Sequence, residues 1–435
     1  MTYQQAQVVE VRAWGRRVGA VALDDATGFY IFEYDPDWIK RGIDLAPLSM
    51  PNSPELYSFP RLRPQTFQRL APMLADCLPD FFGNALVNSF LEREGLRAEQ
   101  ITPLDRLGYM GSRGMGALTF HPATFGDGAV ASILALSDIV DAAKKVLNGT
   151  LTGEQMDQDA LSQLIQVGTS AGGARPKAVL AYNPATKQYR SGQVEAPPGF
   201  EYWILKLDGV SKEWQEPYGE LSEGTDYCRI EYAYFLMAKQ CGITISDCEL
   251  LPEGPRTHFL TKRFDRTASG DRIHMQTLCA ISQLDFNLSG AHSYDQYFQA
   301  IRDLGMGQSE LAEAFRRMVF NVVACNRDDH TKNFSFLLDE GGQWRLAPAY
   351  DLTHAHNSEG PWTSKHQMSV NGKFDGINLQ DLKAVGEQQG IYGSHQIISE
   401  VFGAIDTWQE FAEIAGVSTF STRRIADDLS RNRPE

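Results

Sequence analysis

The sequence has few cysteines, and no pattern among them would bind zinc or form a disulfide framework. They include no C-x-x-C pair, and they stand among apolar residues: Cys77, Cys228, Cys241, Cys248, Cys279 and Cys325. This arrangement excludes the paired motifs of structural zinc sites and of small disulfide-rich secreted domains. We therefore expect six free thiols in a cytoplasmic protein.

Long apolar runs and an excess of positive charge are also absent. No run reaches the ~18 apolar residues that a membrane helix needs, and the first residues lack the features of a signal peptide. Against 40 Lys and Arg residues stand 55 Asp and Glu residues, which gives a formal charge of −15. A chain this acidic is not suited to coat DNA or an anionic membrane by itself. Any contact with DNA would need a local basic patch or a partner.

The length of 435 residues, with 43% hydrophobic residues, predicts a soluble protein of two or three domains. Residues 17–23 and 28–33 alternate like two strands joined by a turn, and residues 66–94 have helical spacing. Residues 165–265 have the pattern strand, strand, helix, strand, and the chain becomes mainly helical from about residue 275. We therefore divide the chain into residues 1–120, 121–265 and 266–435.

The most informative pattern is the polar segment NRDDHTKN at residues 326–333, which follows a predicted buried helix at 311–325. Phosphoryl transfer needs a carboxylate beside the attacking hydroxyl, and it needs oxygen ligands that hold magnesium against the phosphates. Asp328, then Asn333 and finally Asp351 beyond a predicted hairpin stand in the order in which kinases supply these groups. Such residues also cap turns, but the whole set favours phosphoryl transfer.

Two features upstream fit a nucleotide site. Residues 168–177 (GTSAGGARPK) are small enough for backbone N–H groups to approach phosphates, although they match no P-loop and are equally typical of a flexible loop. Lys206 lies within an apolar predicted strand, where it would pair with phosphates and with Glu231, or face solvent from an edge strand. Lys177 competes for the same task. A further predicted strand, at residues 257–264, falls where a hinge would hold adenine, and it includes Lys262 and Phe264.

Taken in order, these features resemble the HipA-type serine/threonine kinases, the toxins of bacterial toxin–antitoxin pairs. In the N-terminal part the resemblance rests on YDPDW at 34–38, PLSMP at 47–51 and MGAL at 115–118. In the rest of the chain it rests on SAGGARPK at 170–177, ILKL at 204–207, KRFDR at 262–266, NRDDHTKNFS at 326–335 and LAPAYDL at 346–352. The similarity therefore covers nearly the whole chain.

The resemblance implies an α+β, bilobal protein-kinase-like fold, with an N-terminal α+β subdomain (1–120), a kinase N-lobe (121–265) and a mainly helical C-lobe (266–435). It implies ATP and Mg²⁺ as cofactors and Asp328 as the catalytic base. Ser170 matches the serine on which such kinases phosphorylate and inactivate themselves. The implied magnesium ligands, which also serve the nucleotide, are Asn333 and Asp351. The other implied nucleotide-binding residues are Ala171, Gly172, Gly173, Ala174, Lys177, Lys206, Lys262, Phe264 and His330.

The resemblance also implies partners. A small HipB-like DNA-binding antitoxin would mediate any contact with DNA, the expected substrate is a protein of the aminoacyl-tRNA synthetase class, and no membrane is involved. Two alternatives stay open: a small-molecule or lipid kinase, which shares the Asp-x4-Asn spacing, and a non-catalytic co-repressor that acts with an antitoxin. His354-x-His356 is more typical of two exposed loop histidines than of a metal site.

Overall fold

A computed structural model describes residues 4–79, 81–124, 136–148, 164, 176–193, 195–210 and 226–435. All six cysteines lie in these ranges, where they are buried and unbridged, as the sequence predicts. The chain forms two compact units. The first comprises Met1–Gln215, Leu260–Gln276 and Leu337–Gln343; the second comprises Glu216–Phe259, Thr277–Phe336 and Trp344–Glu435. The three-part division drawn from the sequence stays a prediction.

The N-terminal part of the first unit is built on a five-stranded antiparallel sheet with the strand order β4-β3-β2-β1-β5. Its strands are β1 Val8–Ala13, β2 Arg16–Asp24, β3 Phe29–Tyr34, β4 Leu56–Tyr57 and β5 Leu118–His121. Buried residues alternate with more exposed ones along β1 and β3, so one face packs into the core. A Cβ at Gly19 would lie 2.1 Å from the carbonyl oxygen of Glu33, so β2 needs glycine there.

Six helices of the described residues lie between the strands of this sheet or follow them along the chain. They are α1 Pro36–Arg41, α2 Pro64–Phe67, α3 Pro72–Ala75, α4 Phe81–Arg93, α5 Pro103–Met110 and α6 Leu136–Asn148. The helical stretch predicted over residues 66–94 is therefore interrupted. Pro72 begins a helix because a proline lacks the N–H that a continuing helix needs. Helix α5 starts with a capping box in which Thr102 and Asp105 bond each other's backbone N–H groups.

A second group of strands in the first unit centres on β6 Lys177–Asn183, which pairs antiparallel with β7 Gln188–Ser191 and β8 Glu201–Lys206. Six of the seven residues of β6 are buried, which is typical of a strand that is covered on both faces.

Fully buried Asp265 ties the segment after residue 262 to the loop before β5 in the same unit. Its carboxylate accepts hydrogen bonds from Arg263 at 2.7 and 2.9 Å, from Arg266 at 2.7 Å and from the backbone N–H of Gly116 at 2.7 Å. Although burial raises it, these guanidinium groups hold the pKa of Asp265 well below its ordinary value. The KRFDR segment therefore anchors this part of the first unit.

Helices dominate the second unit, as the sequence predicts for the region after residue 275. They are α7 Tyr227–Gln240, α8 Leu278–Ile281, α9 Tyr294–Asp303, α10 Gln308–Val323, α11 Leu379–Gln388, α12 Ser394–Asp406, α13 Trp408–Ala415 and α14 Thr419–Arg431. The strands that follow β8 along the chain, counted over both units, are β9 Cys248–Glu253, β10 Arg256–Lys262, β11 His274–Thr277, β12 His292–Ser293, β13 Ser335–Leu338, β14 Trp344–Leu346 and β15 Met368–Ser369. No helix in the described ranges is long and apolar enough to cross a membrane.

Candidate active site

The loop that carries Asp328 leaves the buried C-terminal end of α10. Cys325 has a φ of 53°, a left-handed conformation that turns the chain sharply out of the helix. The backbone N–H of Asn326 then donates to the carbonyl of Asn321 at 2.9 Å, and that of Arg327 donates to the carbonyl of Ala355 at 3.0 Å. Backbone hydrogen bonds therefore fix the start of the loop on both sides.

Asp328 presents a partly exposed carboxylate. Its side chain is 41% exposed, and its Oδ1 accepts a hydrogen bond of 2.6 Å from Nε1 of Trp362. The Nε2 atom of His330 lies 3.7 Å from the same oxygen. The rings of Phe286 and Trp362 lie 5.5 and 6.2 Å from the His330 ring. This carboxylate is thus held by one indole donor and remains accessible to a further hydroxyl.

Asn333 and Asp351 line one small cavity in the second unit. Asn333 ends a 3₁₀ turn, and its amide nitrogen donates to the backbone carbonyl of Asp328 at 2.7 Å, which leaves the amide oxygen as its ligand atom. Asp351 has a φ of 52°, a strained conformation of the kind that concentrates at functional sites. An amide oxygen and a carboxylate are ligands that Mg²⁺ accepts, so the donor set fits the expected ion.

Two side chains fix the chain just before Asp351. The hydroxyl of Tyr350 donates to the carbonyl of Lys332 at 2.7 Å and bonds Ser335 at 2.5 Å. The guanidinium of buried Arg317, on α10, donates to the carbonyl of Ala347 at 2.9 Å. The approach to Asp351 is therefore tied both to the Asp328 loop and to the helix that precedes that loop.

Asp329, the neighbour of Asp328, is a buried hub. Its Oδ2 accepts hydrogen bonds from the hydroxyl of Tyr294 at 2.8 Å and from Nδ1 of His366 at 2.9 Å. Its Oδ1 accepts the backbone N–H of Gln367 at 2.7 Å. Asn321 in turn donates to the Tyr294 hydroxyl at 2.9 Å. Two separate segments thus bond directly to the residue beside the expected catalytic base, and Asn321 supports one of them.

The two candidate nucleotide lysines are direct neighbours in the first unit. Lys177 begins β6 and Lys206 ends β8, and they are register partners in the antiparallel pair. Directly opposed residues of an antiparallel pair project to the same face of the sheet. Both side chains are buried, with 5% and 9% of their surfaces exposed. The sequence alone left these lysines as competitors, whereas the register places them side by side.

The other predicted nucleotide positions are less informative. Lys262 ends β10 and pairs with Glu201 at 2.7 Å, with its ammonium group 5.9 Å from the Trp203 ring. Phe264 lies beyond the end of that strand and is half-buried. Ser170, Ala171, Gly172, Gly173 and Ala174 fall outside the described residues.

Sequence analysis missed Trp362, His366 and the role of Asp329. The one local signal for a buried role of Asp329 was that it directly follows another acid, Asp328. Adjacent side chains in a loop point in different directions, so one of the two acids could face a substrate while the other was buried. The prediction that His354 and His356 are exposed loop histidines is wrong. His354 is only 4% exposed, and the side chain of His356 is only 11% exposed.

Models of known protein families match two ranges of the chain. The model of the HipA-like C-terminal domain matches residues 169–431, which is more than half of the chain, and that of the HipA N-terminal domain matches residues 9–121. The chain belongs to the HipA-like family. The resemblance drawn from the sequence motifs is thereby confirmed.

Among solved structures, the chain is similar to HipA of Shewanella oneidensis MR-1, determined in a complex with HipB and its operator DNA. The TM-score is 0.68 at 16% sequence identity, and the match covers 98% of this chain and 95% of that one. The α+β, HipA-like fold predicted from the sequence is therefore confirmed.

Curated relatives include two Sinorhizobium fredii proteins that carry the names "Putative kinase Y4dM" and "Putative kinase Y4mE". The first is 30% identical over 166 residues, which are 34% of this chain and 36% of that protein. The second is 25% identical over 204 residues, 44% of this chain and 42% of that protein. The matched segments thus span well under half the length of these relatives.

Proposed function

We propose that this HipA-like chain is an ATP- and Mg²⁺-dependent serine/threonine-protein kinase that arrests growth as a toxin. The observation that carries the proposal is the composition of the second unit's site. A partly exposed carboxylate, Asp328, is followed by Asn333 and Asp351, two residues that line one cavity. Phosphoryl transfer needs just these groups, a carboxylate for the attacking hydroxyl and oxygen ligands for the metal.

In the proposed reaction, Asp328 orients the substrate hydroxyl and accepts its proton as the oxygen attacks the γ-phosphorus of ATP; the bond from the γ-phosphorus to the bridging oxygen breaks, and ADP leaves with that electron pair. Trp362 holds the carboxylate in place through its indole N–H. Asn333 and Asp351 would hold magnesium, which when bound would neutralise charge on the phosphate oxygens. Lys177 and Lys206, which are register partners in the first unit, are proposed to supply positive charge to the phosphates.

The finer parts of the proposal rest on the family. We propose a HipB-like antitoxin as the partner, because the HipA of Shewanella oneidensis was solved with HipB and operator DNA. An aminoacyl-tRNA synthetase is the proposed substrate class, and Ser170 is the proposed site of inactivating autophosphorylation. The net charge of −15 fits a chain whose contact with DNA is made mainly by its partner.

The decisive experiment compares the wild type with Asp328→Asn and a matched control, Asp303→Asn, which changes an exposed acid at the end of α9. Radiolabelled ATP and magnesium are added to the purified proteins, and growth is followed on overexpression. We expect phosphate on protein serine and growth arrest for the wild type and the control, and neither for Asp328→Asn. Growth arrest by Asp328→Asn would contradict the kinase-toxin proposal.

Two further outcomes distinguish the alternatives. Magnesium-dependent ATP binding without transfer would favour a non-catalytic co-repressor, and transfer only to small molecules would favour the small-molecule kinase. Mass spectrometry of the self-labelled protein tests Ser170, since phosphate at another residue would overturn that assignment.

A further inference from the structure

A second cluster of ligand groups lies in the second unit and is independent of the proposed phosphoryl transfer. His354 and His356 flank Ala355, three and five residues beyond Asp351, and Asp428 lies on the C-terminal helix α14. Nε2 of His354 is 3.4 Å from Oδ2 of Asp428, and Nδ1 of His356 is 3.6 Å from Oδ1. One ligand atom from each of the three residues lies within 4.8 Å of the others.

The distances among these three residues are compatible with the coordination of one metal ion. Zinc bonds of about 2.1 Å at tetrahedral angles place neighbouring ligand atoms about 3.4 Å apart. The distances from His354 and His356 to Asp428 run to different oxygens of the carboxylate and are each close to that value, and one ligand atom from each of the three residues lies within 4.8 Å of the others. The side chains of His354, His356 and Asp428 are 1%, 11% and 20% exposed, so packing already restricts them.

The donor types indicate which ion would bind. Two imidazole nitrogens and one carboxylate oxygen suit Zn²⁺ and related transition ions, whereas Mg²⁺ prefers oxygen ligands alone. We propose that His354, His356 and Asp428 form a binding site for a zinc-class divalent ion, separate from the site of Asn333 and Asp351. Three protein ligands leave a fourth position for water.

The backbone hydrogen bonds around the cluster indicate a structural role for such an ion. Ala355 donates its N–H to the carbonyl of Cys325 at 3.1 Å, and its carbonyl accepts the N–H of Arg327 at 3.0 Å. The two histidines therefore project from a strand-like bridge at the base of the Asp328 loop. A bound ion would fasten α14 to that base, and the proposed role is to stabilise the loop rather than to take part in transfer.

The test uses the full chain after chelation, with Zn²⁺ and Co²⁺ as probes. We expect one Zn²⁺ per chain after dialysis, a rise in the thermal midpoint on adding Zn²⁺ but not Mg²⁺, and a visible absorption band with Co²⁺. His354→Gln, His356→Gln and Asp428→Asn should each weaken binding at least ~tenfold, because each removes one of three ligands. His395→Gln and Asp427→Asn, both exposed, are the matched controls and should bind as the wild type does.

Two results would overturn the site: no stoichiometric Zn²⁺ or Co²⁺ in the wild type, or unchanged binding in all three ligand variants. Because His354 is buried, its substitution also tests folding, whereas Asp428→Asn, at a more exposed position, keeps the measurement interpretable. The readouts do not depend on kinase activity, so failure of this site and failure of the proposed function can be told apart.

Discussion

Replacing Asp329 by asparagine should loosen the segment that packs on the Asp328 loop. The substitution keeps Oδ1, which accepts the N–H of Gln367, but it turns Oδ2 into an amide nitrogen that faces Tyr294 and His366. Two hydrogen bonds to a buried charge are thereby lost, at about 1.5–3 kcal/mol each. Relief from burying the carboxylate offsets part of this loss, so we expect a net destabilisation of about 2–4 kcal/mol.

Hydrogen exchange measures this effect where it arises. Each ~1.4 kcal/mol changes an opening equilibrium tenfold, so amides in residues 362–370 should exchange roughly 30 to 1,000 times faster in Asp329→Asn. The exposed Asp303→Asn variant should exchange as the wild type does, and amides of β2 in the first unit serve as an internal reference.

A double-mutant cycle sharpens the result. Tyr294→Phe removes one of the lost donors by itself, so combining it with Asp329→Asn should cost less than the sum of the two single changes. Exchange within threefold of the wild type in Asp329→Asn, or strict additivity with Tyr294→Phe, would refute the description of Asp329 as a hub.

Three further outcomes follow from single residues. Burial lowers the pKa of His274 to about 4, below the unfolded value of about 6.5. The folded state therefore loses up to ~3 kcal/mol of stability as the pH falls from 6.5 to 4, because the unfolded chain takes up a proton that the folded chain does not. The urea midpoint of His274→Gln should depend less on pH over that interval than the wild-type midpoint does. Gly19→Ala should destabilise by more than about 2 kcal/mol in thermal unfolding, because its Cβ meets a β3 carbonyl, whereas Gly403→Ala, with open space around it, should not. Trp362→Phe keeps an aromatic ring but loses the N–H to Asp328, so phosphoryl transfer should slow about fivefold, a cost of about 1 kcal/mol once exposure is discounted; an unchanged rate would remove Trp362 from the site.

Patterns close together in the chain were predictable. The alternation at residues 17–23 and 28–33 predicted the pair β2 and β3, because a hairpin needs only neighbouring residues and a turn. The spacing from Asp328 to Asn333 also identified the candidate catalytic loop from neighbouring residues alone, because Asp328 and Asn333 lie on one short segment after a single helix. In the structure, Asn333 and Asp351 line one cavity, and their roles stay predictions.

Contacts made at long sequence separation were not predictable from one sequence. Trp362 is 34 residues from Asp328, and Tyr294 is 35 residues from Asp329, so no periodic pattern connects them. The buried position of His354 also escaped prediction, because a loop sequence does not reveal that the C-terminal helix packs beside it. Lys177 and Lys206 became neighbours only once the strand register was known.

The left-handed backbone of Asp351 restricts which residues can replace it. Asparagine tolerates this conformation about as well as aspartate does, whereas a β-branched residue would be strained there. A change from aspartate to asparagine would therefore remove the charge at this position and keep a residue that tolerates the same backbone conformation. A homologue that lost this carboxylate while keeping its fold would be expected to carry that change first.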